Sequence, residues 1–275
     1  MATPSERLIT KSALKTYFSA LGISAGQTVM LHISVKSIGW LVGGPEIVIR
    51  ALTELLGDEG TLMMYTGWED SPYTMEGWSE EKKKVYLQEC PPFDPETARA
   101  VVDWSILAEM LRKWPGAKRS MHPDGSFCAL GKQAFFLTND HSLKYGYGVH
   151  SPLGKLIALE GKVVLIGSPL NNVTLLHHAE DRANIPGKRI VTYKVPMLVA
   201  NGQAEWVEVE EYDTSKSIVD WYTGDYFLEL MNQYLADFKI VSRKVGNARS
   251  YLLDAAHLNS YARAWMEKHL SRRPD

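Results

Sequence analysis

The chain has 275 residues, 45% hydrophobic and 23% charged, with 30 basic and 32 acidic side chains for a net charge of -2. That is the make-up of a soluble globular protein with room for one large domain or two small ones, and it excludes long disordered tracts. The balanced charge gives no general reason to expect nucleic acid or an anionic membrane as partner, and no apolar run nears the roughly 18 residues of a membrane-crossing helix.

The opening MATPSERLITKSALK has no apolar stretch of the secretory kind, so a cytoplasmic setting is expected. Cys90 and Cys128 lie far apart without metal or redox spacing and are expected as reduced thiols. Residues 5 to 21 read as an amphipathic helix ending at Gly22. QTVMLHIS (27–34) reads as a buried strand, and GGPEIVIRALTELLG as a helix with Pro45 in its first turn and Gly57 at its cap. With the strand GTLMMYT this makes a βαβ unit, which implies a parallel pair on a covered sheet. Residues 67 to 100 are rich in Gly, Pro, charge and aromatics; they read as a long insertion with one short helix over one end of the sheet. SILAEMLRKW is helical, SFCALG a short strand, SPLGKLIALEG a helix, and KVVLIGS a buried strand. Residues 189 to 213 form two β-rich runs joined by Asn201-Gly202, a hairpin signal. Helices at about 225–237 and 254–270 close the chain around KIVSRKV. The pattern is one α/β domain, residues 1–275, with an antiparallel hairpin.

The chemistry concentrates in NNVTLLHHAED (171–181), directly after the KVVLIGS strand. At about 100° per residue, Thr174, His177 and Asp181 share one helix face, and Glu180 lies one turn beyond His177. A neutral imidazole can take a proton on one nitrogen while a carboxylate holds the other. The same groups at a helix start could equally cap and solvate. Position favours a site, because ligands of open α/β sheets bind beyond the carboxyl ends of strands. A metal site is the rival reading, but adjacent histidines diverge by about 100° and do not share an ion easily.

GGPEI, with Gly43 and Gly44, suits backbone N–H groups approaching a phosphate at a helix start, or merely a tight turn. On WVEVEEYD, alternation puts Val207, Val209, Glu211 and Asp213 on one face, an apolar face that turns acidic at its end. Glu69 and Asp70, beside Trp68 and Tyr73, add acids and rings in the insertion. Each alone reads as surface; together they suit a cationic ligand.

These residues resemble the aminoglycoside 3-N-acetyltransferases almost end to end, through LHISVKSIG with GGPEIVIRAL, WEDSPY, PPFDP, AKRSMHPDGSFCALG, HSPLGKL, GSPLNNVTLLHHAEDRANIPGKRIVTYKVPML, EEYD and ARSYLLDA. The paired motifs RSxHPxxS and TxxHxxE carry most of the likeness. The resemblance implies a three-layer α/β/α sandwich with a mostly parallel central sheet and an added antiparallel β-hairpin region. It implies acetyl-CoA as cosubstrate, no metal, an aminoglycoside as acceptor, a monomer or homodimer, and drug resistance as the consequence. It matches His177 to a catalytic base, Glu180 to its orienting acid and Thr174 to a hydroxyl beside the thioester carbonyl. His32, Ser34, Ser37, Gly43, Gly44, Arg119, Ser120, His122, Pro123 and Ser126 match the coenzyme A side. Glu69, Asp70, Tyr73, Glu211 and Asp213 are expected on the aminoglycoside side. His178 departs from the nonpolar or aromatic residue usual after the base. Another amine as acceptor, a metallohydrolase and a drug-sequestering protein are the alternatives.

Overall fold

The structure, a computed structural model, describes residues 8–75, 77–199, 202–215 and 217–271. Its large sheet holds seven strands in the order β3-β4-β2-β1-β5-β9-β8. They span Thr28–Ile33 (β1), Thr61–Tyr65 (β2), Lys118–Arg119 (β3), Phe127–Gly131 (β4), Lys162–Ile166 (β5), Arg243–Val245 (β8) and Ala248–Asp254 (β9). A separate ribbon pairs Ile190–Leu198 (β6) with Ala204–Tyr212 (β7). The expected parallel βαβ pair is present: β1 lies parallel to β2 and also to β5. The outer pairings β2–β4, β3–β4, β5–β9 and β8–β9 are antiparallel. β1, β2, β3, β5 and β8 therefore run one way, and only β4 and β9 run against them.

Helices cover both faces. Lys11–Leu21 (α1), Glu46–Leu56 (α3) and Ile106–Arg112 (α5) pack on one side, with Leu31, Ile33, Leu62, Met64, Val164 and Ile166 turned toward them. Ala134–Thr138 (α6), Pro152–Ala158 (α7), Leu175–Arg182 (α8), Tyr226–Asp237 (α9) and Ala255–Leu270 (α10) cover the other, against Met30, Met63, Val163 and Leu165. Odd and even strand positions feed opposite cores, which is why these strands read as continuous apolar runs. The short Val35–Ile38 (α2) turns the chain after β1, and among the described residues of the insertion Glu80–Glu89 (α4) is its α-helix, preceded by a single 3-10 turn at Pro72–Met75.

Two expectations shift. The first helix begins at Lys11 rather than residue 5: Thr10 caps it, accepting from the Ala13 N–H at 3.2 Å, and Ile9 is held in a bridge to Leu41. Residues 5–7 lie outside the described chain, as does Asn201 of the expected hairpin turn. KIVSRKV contributes only the short β8, while ARSYLLD forms β9 and pairs with β5 along Lys162↔Asp254 to Ile166↔Ser250. The insertion does cross one end of the sheet, tied to the ribbon by Phe93, whose N–H donates to the Pro196 carbonyl at 2.7 Å. Trp68 and Phe93 pack with Val195, Met197 and Val209 in a third, small core.

Candidate active site

β1 has β2 on one side, its next strand in sequence, and β5 on the other, which arrives far later in the chain. Beyond the carboxyl ends of these strands, where open α/β sheets hold ligands, lies a cleft of about 720 Å³. Leu31, His32 and Ile33 line it from β1, and Ser168, Asn171, Asn172, Val173, Thr174 and His177 from the segment after β5. Tyr65, Trp68, Glu69, Ser71, Tyr73, Asp103, Trp104 and Ser105 form much of the opposite wall.

The helical period decides which histidine reaches the cleft. Leu175, Leu176 and Ala179 of α8 are fully buried in the core, which turns His177 to the cleft and His178 inward. His177 Nδ1 lies 2.6 Å from Glu180 Oε2. The Glu180 side chain is only 2% exposed, so this carboxylate is out of water and serves the imidazole. Its other oxygen accepts from the Tyr226 hydroxyl. The imidazole rests between two rings, Tyr147 at 5.1 Å and Phe227 at 5.0 Å between centroids. A histidine whose Nδ1–H is held by a carboxylate presents Nε2 as a proton acceptor. Thr174 begins α8 without capping it, which leaves its hydroxyl uncommitted at the cleft wall. Asp181, expected on the same face, is not part of the wall. Among the described residues, no group of three or more His, Cys, Asp or Glu side chains is placed to hold a metal ion.

Residues 30–267 match the family model for aminoglycoside 3-N-acetyltransferase. Aminoglycoside N(3)-acetyltransferase III of Pseudomonas aeruginosa is 46% identical over 258 residues, covering 94% of this chain and 93% of that protein. The chain belongs to the aminoglycoside 3-N-acetyltransferase family. The type VII enzyme of Streptomyces paromomycinus is 39% identical, covering 96% of this chain and 93% of the relative. Among solved structures, AAC-IIIb in binary complex with CoASH superposes with a TM-score of 0.88 at 38% identity, over 98% of this chain and 100% of that one. AAC-VIa bound to sisomicin gives 0.89 at 34% identity, over 96% and 99%.

The acetyltransferase family motifs are placed unevenly around the cleft. His32 lines it; burial pushes its imidazole down to about 4, so it stays neutral, and its Nε2 is shut from solvent without a hydrogen-bond partner. Ser34 and Ser37 hold the α2 turn, the Ser37 hydroxyl donating to the Ser34 carbonyl at 2.7 Å. Gly43 and Gly44 sit before α3 with φ of 93° and 77°, and a Cβ on Gly44 would meet nothing within 4 Å. Neither glycine lines the cleft.

The residues of RSxHPxxS, expected on the coenzyme A side, are tied into an internal framework of hydrogen bonds. Arg119 donates to the carbonyls of Ala98 and Gly67 and, at 3.1 Å, to the Ser126 hydroxyl. Burial pushes its guanidinium down to about 10. Ser126 is buried and donates to the Gly67 carbonyl at 2.9 Å, and Ser120 accepts from the Phe127 N–H at 3.0 Å. His122 is buried, with Nδ1 accepting from the Gly125 N–H at 2.8 Å, and Pro123 is buried beside it. The motif was legible because this framework needs those residues, and it delivers to the cleft one that sequence reasoning passed over. Asp124 accepts from the Ser71 and Tyr193 hydroxyls, and burial raises its carboxyl above the usual range.

The acids also separate. Glu69 and Tyr73 line the cleft. Asp70 instead pairs with Arg99 at 2.7 Å. Glu211 is only 7% exposed; it accepts the Gly146 N–H at 3.0 Å and lies 2.8 Å from His122 Nε2. The alternation correctly turned it inward, but inward here means the core. Asp213 is bound to Arg189 and Ser215, with the Tyr73 hydroxyl donating to it at 3.4 Å. Tyr147, Tyr226 and Phe227 escaped the sequence reading altogether, because tyrosines and phenylalanines at half-buried or buried positions look like core until their neighbours are known.

Proposed function

We propose that this chain transfers the acetyl group of acetyl-CoA to the 3-amino group of an aminoglycoside, conferring resistance, with residues 1–275 acting as one unit in the cytoplasm. The 2.6 Å contact between His177 Nδ1 and Glu180 Oε2 at the wall of the cleft carries the reading. In the reaction, the amine lone pair bonds to the thioester carbonyl carbon and the carbon–sulfur bond breaks. His177 Nε2 receives the amine proton, which then serves the departing thiolate; no covalent enzyme intermediate is needed. The Thr174 hydroxyl is the donor for the developing oxyanion, worth roughly 3 kcal/mol. Carboxylates at Glu69, Asp103 and Asp124 give the cleft the sign that ammonium groups seek, and the ring of Trp104, stacked on Tyr65 at 5.1 Å, gives it an apolar face. Coenzyme A is assigned to the side of His32 and Thr174. Support comes from the CoASH and sisomicin complexes of the two structural relatives, both of whose folds this chain shares.

Mass spectrometry of gentamicin, kanamycin and apramycin after incubation with acetyl-CoA tests the reading. Addition of one acetyl group with matching release of free thiol is expected. Acetylation of simple amines without any aminoglycoside product would replace the acceptor, and no thiol release would overturn the chemistry.

A further inference from the structure

Two consecutive residues at the start of α9 converge on the two members of the dyad. The Tyr226 hydroxyl donates to Glu180 Oε1, the oxygen that does not face the imidazole. The ring of Phe227 lies 5.0 Å from that of His177 at 53°. Neither residue is on the helix that carries the dyad. The turn holding them is itself anchored, since Asp225 caps α9 by accepting from the Leu228 N–H at 3.0 Å. Asp225 also accepts from the Asn171 side chain at 2.6 Å, which ties the start of α9 to the loop that enters α8.

We propose that Tyr226 and Phe227 are positioning residues for the His177–Glu180 dyad, Tyr226 by fixing the carboxylate and Phe227 by holding the imidazole and favouring its protonated form. The proposal rests on the acetyl-transfer reading for its kinetic consequence, but the placement of the dyad is testable without it. Glu180 is 1% exposed, and a buried carboxylate oxygen without a donor carries the full cost of lost hydration. With Tyr226 in place that oxygen is satisfied and the carboxylate cannot rotate. Without the hydroxyl, the orphaned charge leans more heavily on the imidazolium and stabilises it. Phe227 acts through its ring: the electron-rich face attracts a cation within about 6 Å. Replacing the ring with an aliphatic chain removes that attraction. The two residues therefore influence the proton on His177 in opposite directions.

Other groups around the imidazole are the same in both variants. From its own helix it meets Glu180, whose carbonyl takes the Lys188 ammonium at 2.8 Å. From the 139–151 loop it meets Tyr147, whose hydroxyl is 2.8 Å from that of Tyr65. From α9 it meets the ring of Phe227, and Tyr226 reaches it through Glu180, with Asp225 committed to the cap and to Asn171.

The test compares Tyr226→Phe and Phe227→Leu with the wild type, following the His177 ring by NMR titration and the acid limb of kcat/KM for acetyl transfer. In Tyr226→Phe the titration midpoint is expected to rise, and in Phe227→Leu to fall, each by about half a pH unit. The acid limbs should follow, with kcat reduced about tenfold or more and KM for acetyl-CoA changed less than twofold. Phe227→Tyr, which keeps the ring, should restore the wild-type midpoint. Phe227 is only partly buried, so its variants fold even where Tyr226→Phe does not. Midpoints that stay put, or move together in one direction, would overturn the positioning roles. Variant midpoints that move as described in a protein that releases no thiol would instead sink the acetyl-transfer reading and leave the positioning intact.

Discussion

His178 donates its Nδ1 proton to the carbonyl of Tyr147, 2.6 Å away, so the two adjacent histidines serve opposite sides of α8. His177 faces the cleft; His178 is 5% exposed, and burial lowers its basicity. The peptide it grips carries the ring that packs against His177, and the preceding residue, Gly146, is gripped by Glu211 and by His141, whose Nε2 lies 2.6 Å from its carbonyl. His178 thus becomes a second fastening for one wall of the site.

The division of labour sets the first prediction. His177→Ala should lower kcat by about 100-fold or more, the usual contribution of a general base, with little change in melting temperature. His178→Ala should do the reverse: about 1–3 kcal/mol of stability lost with the buried hydrogen bond and kcat within about tenfold of wild type. Denaturant unfolding beside steady-state kinetics distinguishes them, and a dead but stable His178→Ala enzyme would refute the assignment.

Glu211 and Asp213, two residues apart on one strand face, should behave differently. Glu211→Gln places an amide where the Gly146 N–H needs an acceptor on both oxygens, and should cost about 1–3 kcal/mol and lower activity toward all substrates alike. Asp213→Asn loosens Arg189 and the Tyr73 hydroxyl, while its neighbours Thr214 and Ser215 line the cleft. It should raise KM for aminoglycoside several-fold and leave that for acetyl-CoA unchanged. The rise should shrink with salt, as for any half-exposed pair. Equal losses in both constants for Asp213→Asn would mean that it, too, is purely structural.

Gly44 separates strain from contact. Its φ of 77° costs any residue with a Cβ roughly 1–2 kcal/mol, so Gly44→Ala and Gly44→Val should both melt earlier. Only the valine carries bulk enough to obstruct a phosphate at the α3 start. Calorimetry should therefore show weaker acetyl-CoA binding for Val than for Ala; identical affinities in the two variants would remove this turn from the coenzyme site.

Acid should weaken the fold in two stages. His32, held down to about 4 by burial, refuses a proton that the unfolded chain takes near its ordinary 6.5. Its stabilising effect is complete above pH 6.5 and lost as pH falls toward 4. For Glu109, burial raises the carboxyl, but Arg112, Lys113 and the Ala100 N–H outweigh it and bring it down to about 2. That contribution is complete above about 4.5 and lost on the way to 2. In thermal unfolding against pH, His32→Asn should flatten the upper stage and Glu109→Gln the lower one. An unchanged slope in either variant would discharge that residue from the effect.

The fold was legible wherever one period served one purpose. Buried parallel strands and amphipathic helices write themselves as apolar runs and stripes, so β1, α3, β2, β5 and the ribbon stood in the sequence. β9 did not, because ARSYLLD is short, mixed and declared only by its pairing with β5. In the site, His177 and Glu180 were legible because they stand three positions apart on one helix, a local fact. Tyr226 and Phe227 reach the same atoms from nearly fifty residues downstream, and Tyr147 from thirty upstream; no local spacing records such meetings. RSxHPxxS was legible as a polar cluster, but its partners were not. Arg119, Ser120, His122 and Ser126 bond to backbone around β2, β4 and the insertion, and Ser120 also meets the distant His141 and His122 the distant Glu211.

The third small core has a bearing on how such an enzyme changes over generations. Trp68 and Phe93 pack with the ribbon's Val195, Met197 and Val209, apart from the two cores that hold the sheet and α8. Trp68 therefore sits in a part of the wall packed apart from the base and its carboxylate, whereas Trp104 stacks on Tyr65, whose hydroxyl meets that of Tyr147 beside His177. Substitutions around Trp68 can reshape that part of the cleft with the proton-handling machinery left in place, so in the proposed reaction a lineage would have room to change its range of acceptors without first losing the chemistry.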